Sequence, residues 1–216
     1  MSSNLAFFGA RVESARLVAI LLHGRSQTPA YMEEQVVRRL GLADVAFVAP
    51  EAPGQSWYPA RFMQPIDENQ PHLDRALARI GAISDDLVRA GVPAAAQVLI
   101  GFSQGACLAC EYLYRSRRRF AALLAFTGGL VGPPGTSWDS HAPALRGTPI
   151  LLGGASDDPW VPAGRMMETA FVFQLASARV GLTLYPSVVH EIRDEQIDEG
   201  RALLLGLPAF QTVAAG

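Results

Sequence analysis

Between residues 98 and 110 the chain reads Val-Leu-Ile-Gly-Phe-Ser-Gln-Gly-Ala-Cys-Leu-Ala-Cys. This is an aliphatic run, a serine between two glycines, and then small and apolar residues of helical character. No other stretch constrains the fold as strongly. Gly101-Phe102-Ser103-Gln104-Gly105 is a G-x-S-x-G pattern, in which a strand turns so sharply into a helix that the positions two before and two after the serine nearly touch, and a Cβ at either would clash. The serine is forced into a strained backbone conformation and held above the sheet with its hydroxyl exposed. The amide N–H of Gln104, first residue of the helix, then points to where an oxyanion would form. A surface turn with an idle serine can carry the same five residues. The strand before and the small-residue helix after are the context that a nucleophile requires.

Elsewhere, strands and helices alternate. An edge strand or arm is expected over residues 6–12, and the continuous aliphatic run of residues 16–22 reads as a buried strand ending at His23-Gly24-Arg25-Ser26. Thr28 caps a helix begun by Pro29, with Tyr31, Val36, Val37 and Leu40 on its apolar face. After a short strand at residues 45–49, residues 73–90 have helical periodicity through Leu77, Ile80, Ile83, Leu87 and Val88, and Gly91 stops them. Strands at residues 121–126, 150–152 and 182–185 follow, with helices at 163–178 and 194–205. The expectation is an α/β fold with a mostly parallel central sheet, helices on both faces, and chemistry at the carboxyl ends of the strands. With 216 residues, half of them hydrophobic, residues 1–216 suffice for one domain and are short for two.

Eighteen Lys and Arg against 20 Asp and Glu leave a net charge of −2, so there is no basic surplus for nucleic acid. Arg115 and Arg117 to Arg119 fall at the end of the helix after Ser103, where cations suit the helix dipole. The apolar stretch of residues 17–22 is too short to span a membrane, and no leader is apparent. The expectation is therefore a cytoplasmic chain without stable membrane insertion, and a homodimer is left open. Cys107 and Cys110 fall one turn apart on the buried face of a helix, where packing is expected rather than redox or metal chemistry.

A serine hydroxyl needs a base to take its proton, and the chain has four histidines. His23, directly after a buried strand, is expected to brace a loop. His72, at a helix start, and His141, in a proline-rich loop, are expected to face solvent. His190 follows a strand far downstream of Ser103, where a base reaching back over the sheet edge would sit. An acid should orient it, and Asp157 and Asp158 follow an intervening strand. The order Ser, Asp, His is that of α/β-hydrolases. Asp158 is preferred because Pro159 restricts its backbone to an extended conformation.

The segment between residues 50 and 71 is rich in proline and aromatics and too apolar for a solvated linker. Trp57, Tyr58, Phe62 and Met63 are expected to fold back and line an apolar acyl or aryl pocket, although a core role would give the same composition.

Leu22-His23-Gly24-Arg25, Gly101 to Gly105, Asp158-Pro159-Trp160-Val161-Pro162, His190 and Ser56-Trp57-Tyr58 together resemble the phospholipase/carboxylesterase family of α/β-hydrolases, which includes acyl-protein thioesterases. The resemblance runs over roughly residues 17–205. It implies Ser103 as nucleophile, His190 as base, Asp158 as orienting acid, and the backbone N–H groups of Arg25 and Gln104 as oxyanion hole, with no cofactor and no metal. The family commonly has glycine where Ser26 stands, and glycine shortly before the histidine, where this chain has Ser187-Val188-Val189. The implied activity is hydrolysis of small to medium apolar acyl or aryl esters through an acyl-enzyme. Lysophospholipase, acyl-thioesterase and lactone hydrolase are the alternatives, and a non-catalytic ligand-binding protein is the alternative of another class.

Overall fold

Leu17–Leu22 buries all six of its side chains, which a strand can do only inside a sheet covered on both faces. Leu17, Ala19 and Leu21 enter one hydrophobic layer, and Val18, Ile20 and Leu22 enter the other, as the two-residue side-chain period dictates. The computed structural model describes residues 4–139 and 144–208. His141 lies outside the described residues.

Seven strands form one sheet: β1 (Leu5–Gly9), β2 (Leu17–Leu22), β3 (Val45–Pro50), β4 (Gln97–Phe102), β5 (Ala122–Phe126), β6 (Pro149–Ala155) and β7 (Arg179–Tyr185). Their order is β1-β3-β2-β4-β5-β6-β7. Only β1 runs antiparallel, along β3 at the edge; every other neighbouring pair is parallel. One face is covered by α3 (His72–Arg89), α4 (Gln104–Ser116) and α5 (Ala163–Leu175). The other is covered by α6 (Asp194–Leu205) and by a helix that begins as α1 (Pro29–Met32), passes through a π-turn at Glu33–Val37 and ends as α2 (Arg38–Leu40). Thr28 caps α1 through its side chain, accepting from the Tyr31 N–H at 3.3 Å. The fold is that of the α/β-hydrolases, and helical crossovers bring the carboxyl ends of the parallel strands to one rim.

Several element limits differ from the sequence pattern. β6 continues through Gly153 and Gly154 to Ala155, because those glycines pair with Thr183 and Leu184 of β7 instead of turning. β7 begins at Arg179, since an edge strand half-open to solvent needs no aliphatic run. α5 stops at Leu175, ahead of Ser177 in the left-handed region at φ 67°. Val88, counted on the apolar face of α3, is 46% exposed, while Leu77, Ile80, Ile83 and Leu87 are buried.

Arg117 (φ 53°) ends α4, and the flanking arginines are ion-paired: Arg115 with Glu111 at 2.6 Å and Asp74 at 3.2 Å, Arg118 with Asp85 at 2.6 Å. Cys107 and Cys110 are free and buried. Among the described residues, no helix is long and apolar enough to cross a membrane.

Candidate active site

β4 carries the chain straight into Ser103, whose backbone sits at φ 52° and ψ −119°, a conformation that L-residues adopt only when the surroundings enforce it. The enforcement is visible. The Ser103 N–H donates to the Phe126 carbonyl at 3.0 Å, and the Cys107 N–H closes the first turn of α4 on the Ser103 carbonyl at 2.9 Å. A Cβ on Gly101 would collide with the Gly105 carbonyl, and one on Gly105 with the Leu22 carbonyl of the neighbouring strand. A side chain at Gly101 would push β4 and α4 apart, and one at Gly105 would push α4 away from β2.

Beyond β6, the next loop is tied to the one after β7 by Ser156 N–H to the Tyr185 carbonyl, 2.8 Å, and Asp157 N–H to the Ser187 carbonyl, 3.1 Å. Asp158 is buried between them. Its Oδ1 accepts from the N–H groups of Trp160 (2.8 Å) and Val161 (2.9 Å), and its Oδ2 lies 2.7 Å from His190 Nδ1. His190 Nε2 lies 2.8 Å from Ser103 Oγ, and its ring packs against Phe102 at 5.1 Å between centroids. Three residues from three loops thus form one hydrogen-bonded line, carboxylate to imidazole to hydroxyl. Such a line can take the hydroxyl proton onto Nε2 while Nδ1–H stays held. Asp157 is exposed and, among the described residues, accepts only from its neighbour, the Ser156 hydroxyl, at 2.6 Å.

His23 is fully buried, and both of its ring nitrogens are engaged by backbone groups. Its Nδ1 is 2.7 Å from the Gly24 carbonyl and its Nε2 accepts from the Ala52 N–H at 3.0 Å, which makes Nδ1 the protonated nitrogen of a neutral ring. Desolvation lowers its pKa, opposed by the Gly24 hydrogen bond. His72 is exposed at the start of α3.

The turn after β2 sits beside Ser103: a Cβ on Gly24 would come within 3.3 Å of the serine Cβ. Ser26, the residue standing where glycine is common, occupies the left-handed region at φ 59°, held by its N–H to the Gln55 carbonyl at 2.8 Å. The Arg25 N–H has no acceptor among the described residues, and the Gln104 N–H belongs to the first turn of α4, where no intrahelical acceptor exists. Two amide donors next to one hydroxyl are the requirement for binding an oxyanion.

The side chains of the same two residues hold the proline-rich segment. The Arg25 guanidinium donates to the carbonyls of Tyr58 (3.0 Å), Pro59 (2.7 Å) and Ala60 (2.7 Å). The Gln104 amide accepts from the Trp57 N–H at 3.0 Å and donates to the Tyr58 carbonyl at 2.8 Å. Neither role was legible in the sequence, because glutamine and arginine at these positions carry no pattern that tells side-chain work from backbone work.

Beside Ser103 and His190 opens a cavity of ≈ 270 Å³, walled by Tyr58, Phe62, Cys107 and Val161, with Arg25, Arg61 and Trp160 at its mouth. Two of the four residues expected to line it do not. Trp57 is 3% exposed and packs inward, its ring 5.0 Å from His23 and its Nε1–H donating to the His23 carbonyl at 2.8 Å. Met63 packs half-buried against the core. The segment has no side-chain period, so composition foretold an apolar fold-back without telling which residues face the cavity. Cys107 packs on the cavity wall, and burial pushes its thiol up to about 12. Trp160 and Val161 were singled out only within a motif; what they do is give their amides to Asp158 and their side chains to the cavity.

Residues 9–201 match the family described as phospholipase/carboxylesterase. Among solved structures, a phospholipase/carboxylesterase from Dyadobacter fermentans is 33% identical, with a TM-score of 0.83 over 94% of this chain and 97% of its own. Among curated proteins, acyl-protein thioesterase 1 of Eremothecium gossypii is 24% identical across 90% of this chain and 89% of its own. The acyl-protein thioesterase 1 homolog 2 of Dictyostelium discoideum is 29% identical across 64% and 68%. The chain belongs to the phospholipase/carboxylesterase family of hydrolases.

Proposed function

We propose that the chain hydrolyses carboxylic esters through a covalent acyl-serine. Ser103 Oγ attacks the ester carbonyl as His190 Nε2 takes its proton, and the amides of Arg25 and Gln104 hold the oxyanion. The tetrahedral adduct collapses, and His190 returns the proton to the departing alcohol. Water then attacks the acyl-serine with His190 again as base, releasing the acid and restoring Ser103. Asp158 fixes the imidazole tautomer and orientation throughout. One observation carries the reading: His190 bridges a buried carboxylate at 2.7 Å and the hydroxyl of the strained serine at 2.8 Å.

The cavity, at ≈ 270 Å³, is slightly smaller than most ligand pockets and is mostly apolar, which favours small to medium acyl or aryl groups. A thioester in place of the oxoester is the second reading, favoured by the names of the two curated relatives. The proposal is tested by a screen of p-nitrophenyl esters of rising chain length beside matched acyl-thioesters and lactones, run on the wild type and Ser103→Ala. Turnover of at least one oxoester series that disappears in Ser103→Ala is expected. Turnover confined to thioesters would move the assignment to the second reading, and turnover that survives in Ser103→Ala would refute both.

A further inference from the structure

The mouth of the cavity carries two cations, Arg25 and Arg61, and among the described residues no carboxylate lines it. Asp158, behind His190, has no exposed side-chain surface and is already engaged by three donors. The two arginines differ in what their guanidinium groups have left to offer. Arg25 gives its N–H groups to three carbonyls of residues 58–60. Arg61 is exposed, and its guanidinium lies over the Trp160 ring at 4.7 Å from the centroid. It has no ion pair among the described residues, nor does its side chain donate a hydrogen bond there. A contact with the face of a ring uses the charge of a guanidinium and leaves its N–H donors free.

The position of Arg61 is also built. Asn69, fully buried, donates to the Arg61 carbonyl at 3.2 Å and accepts from the Ala60 N–H at 2.8 Å, while Phe62 is fixed by the Gly132 N–H on its carbonyl at 2.8 Å. Trp160 is in turn set by its amide on Asp158. A free, planar cation is thus held at the entrance, beside the hydroxyl and imidazole, in a chain whose net charge is −2 and which has no general basic surplus.

We propose that the preferred substrate is an ester carrying an anionic group, and that Arg61 binds that group as the specificity-determining residue. The proposal rests on the ester-hydrolase reading above and adds the substrate's charge. An apolar stretch of substrate fills the wall of Tyr58, Phe62 and Val161, and the anion meets the guanidinium fork at the mouth, where charge-assisted, bidentate hydrogen bonds form.

Matched pairs of esters test it. The acyl half is probed with mono-p-nitrophenyl adipate against p-nitrophenyl hexanoate, and the alcohol half with p-butyryloxybenzoate against p-butyryloxybenzamide, on wild type, Arg61→Gln and Arg61→Lys. At low ionic strength the wild type should favour the anionic member of one pair by about tenfold in kcat/KM. That ratio should fall about tenfold in Arg61→Gln, be partly kept in Arg61→Lys, and decline with salt in the wild type only. Which pair responds tells on which half the anion sits. Ratios near one for both pairs in the wild type, or an equal loss on both members in Arg61→Gln, would overturn the proposal.

Binding separates this outcome from failure of the ester-hydrolase reading. In binding to Ser103→Ala, monomethyl adipate is compared with dimethyl adipate for the acyl half and p-butyryloxybenzoate with p-butyryloxybenzamide for the alcohol half. The anionic member of one pair should bind about tenfold tighter, and adding Arg61→Gln should remove the difference. Equal binding within both pairs would overturn the role of Arg61 whether or not any ester is turned over.

Discussion

Asp157 and Asp158 are adjacent carboxylates with opposite surroundings, and that contrast makes the sharpest prediction at the scale of single residues. Asp158 is sealed, with two amides on one oxygen and His190 on the other; Asp157 is in water beside a serine hydroxyl. Asp158→Asn keeps the shape but presents an amide to Nδ1 and favours the wrong tautomer, so kcat on a p-nitrophenyl ester should fall by roughly 10⁴, the scale known from serine proteases. Asp157→Asn should cost less than about tenfold; steady-state kinetics of the two variants at one pH compares them directly. The choice of Asp158 was legible from Pro159, but the two amides that hold its carboxylate were not, since they follow from how the turn closes. Ser26 illustrates the converse: a residue that looks like a departure adopts the left-handed conformation glycine would take, and its N–H is anchored on Gln55. At Cys107, burial keeps the thiol protonated at neutral pH, so iodoacetamide should leave ester hydrolysis intact. Rapid inactivation prevented by Cys107→Ala would show that the thiol is accessible and reactive.

At the scale of elements, the stretch from Ser56 to Arg61 is a wall fastened to both sides of the candidate oxyanion site by Arg25 and Gln104, and its aromatic residues divide their tasks. Trp57 faces the core and Phe62 the cavity. Trp57→Ala should therefore cost about 3–5 kcal/mol of stability with little change in the ratio of kcat/KM between two ester lengths. Phe62→Ala should shift that ratio toward longer acyl groups. Thermal melts beside two-substrate kinetics give both readouts, and a Trp57→Ala variant with normal melting but altered chain-length preference would reverse the assignment. Regular elements with a strong period were legible nearly to the residue, as α6 at Asp194–Leu205 illustrates. Where the signal was a glycine pair, as at Gly153-Gly154, the sequence suggested a turn and the sheet used the pair as strand, because pairing with β7 overrides local preference.

For the molecule as a whole, two apolar layers on one sheet bury a neutral histidine at the end of β2, and this ties stability to pH. The His23 pKa is lowered in the fold by desolvation, so between its ordinary value of 6.5 and the lower folded value the unfolded chain binds more protons. The contribution of neutral His23 is complete above 6.5 and is lost as pH falls below it toward the folded value. The difference in Tm between wild type and His23→Gln should accordingly shrink on going from pH 7.5 to about pH 5; a difference that stays constant would mean that His23 does not titrate between the two states. The α/β architecture was legible because alternating aliphatic runs and amphipathic helices leave few other arrangements, and the Ser, Asp, His order because each residue follows a strand. The cation at the cavity mouth was not legible, since nothing in a sequence shows which arginine lacks a partner. Ser103, proposed as the activated nucleophile, can be labelled at the active site with a fluorophosphonate and the adduct located by peptide mass mapping. One adduct per chain on Ser103 is predicted, formed rapidly in the wild type, slowly in His190→Ala and not at all in Ser103→Ala. An unlabelled wild-type serine, or an adduct on another residue that accounts for the loss of ester hydrolysis, would show that Ser103 is not the nucleophile.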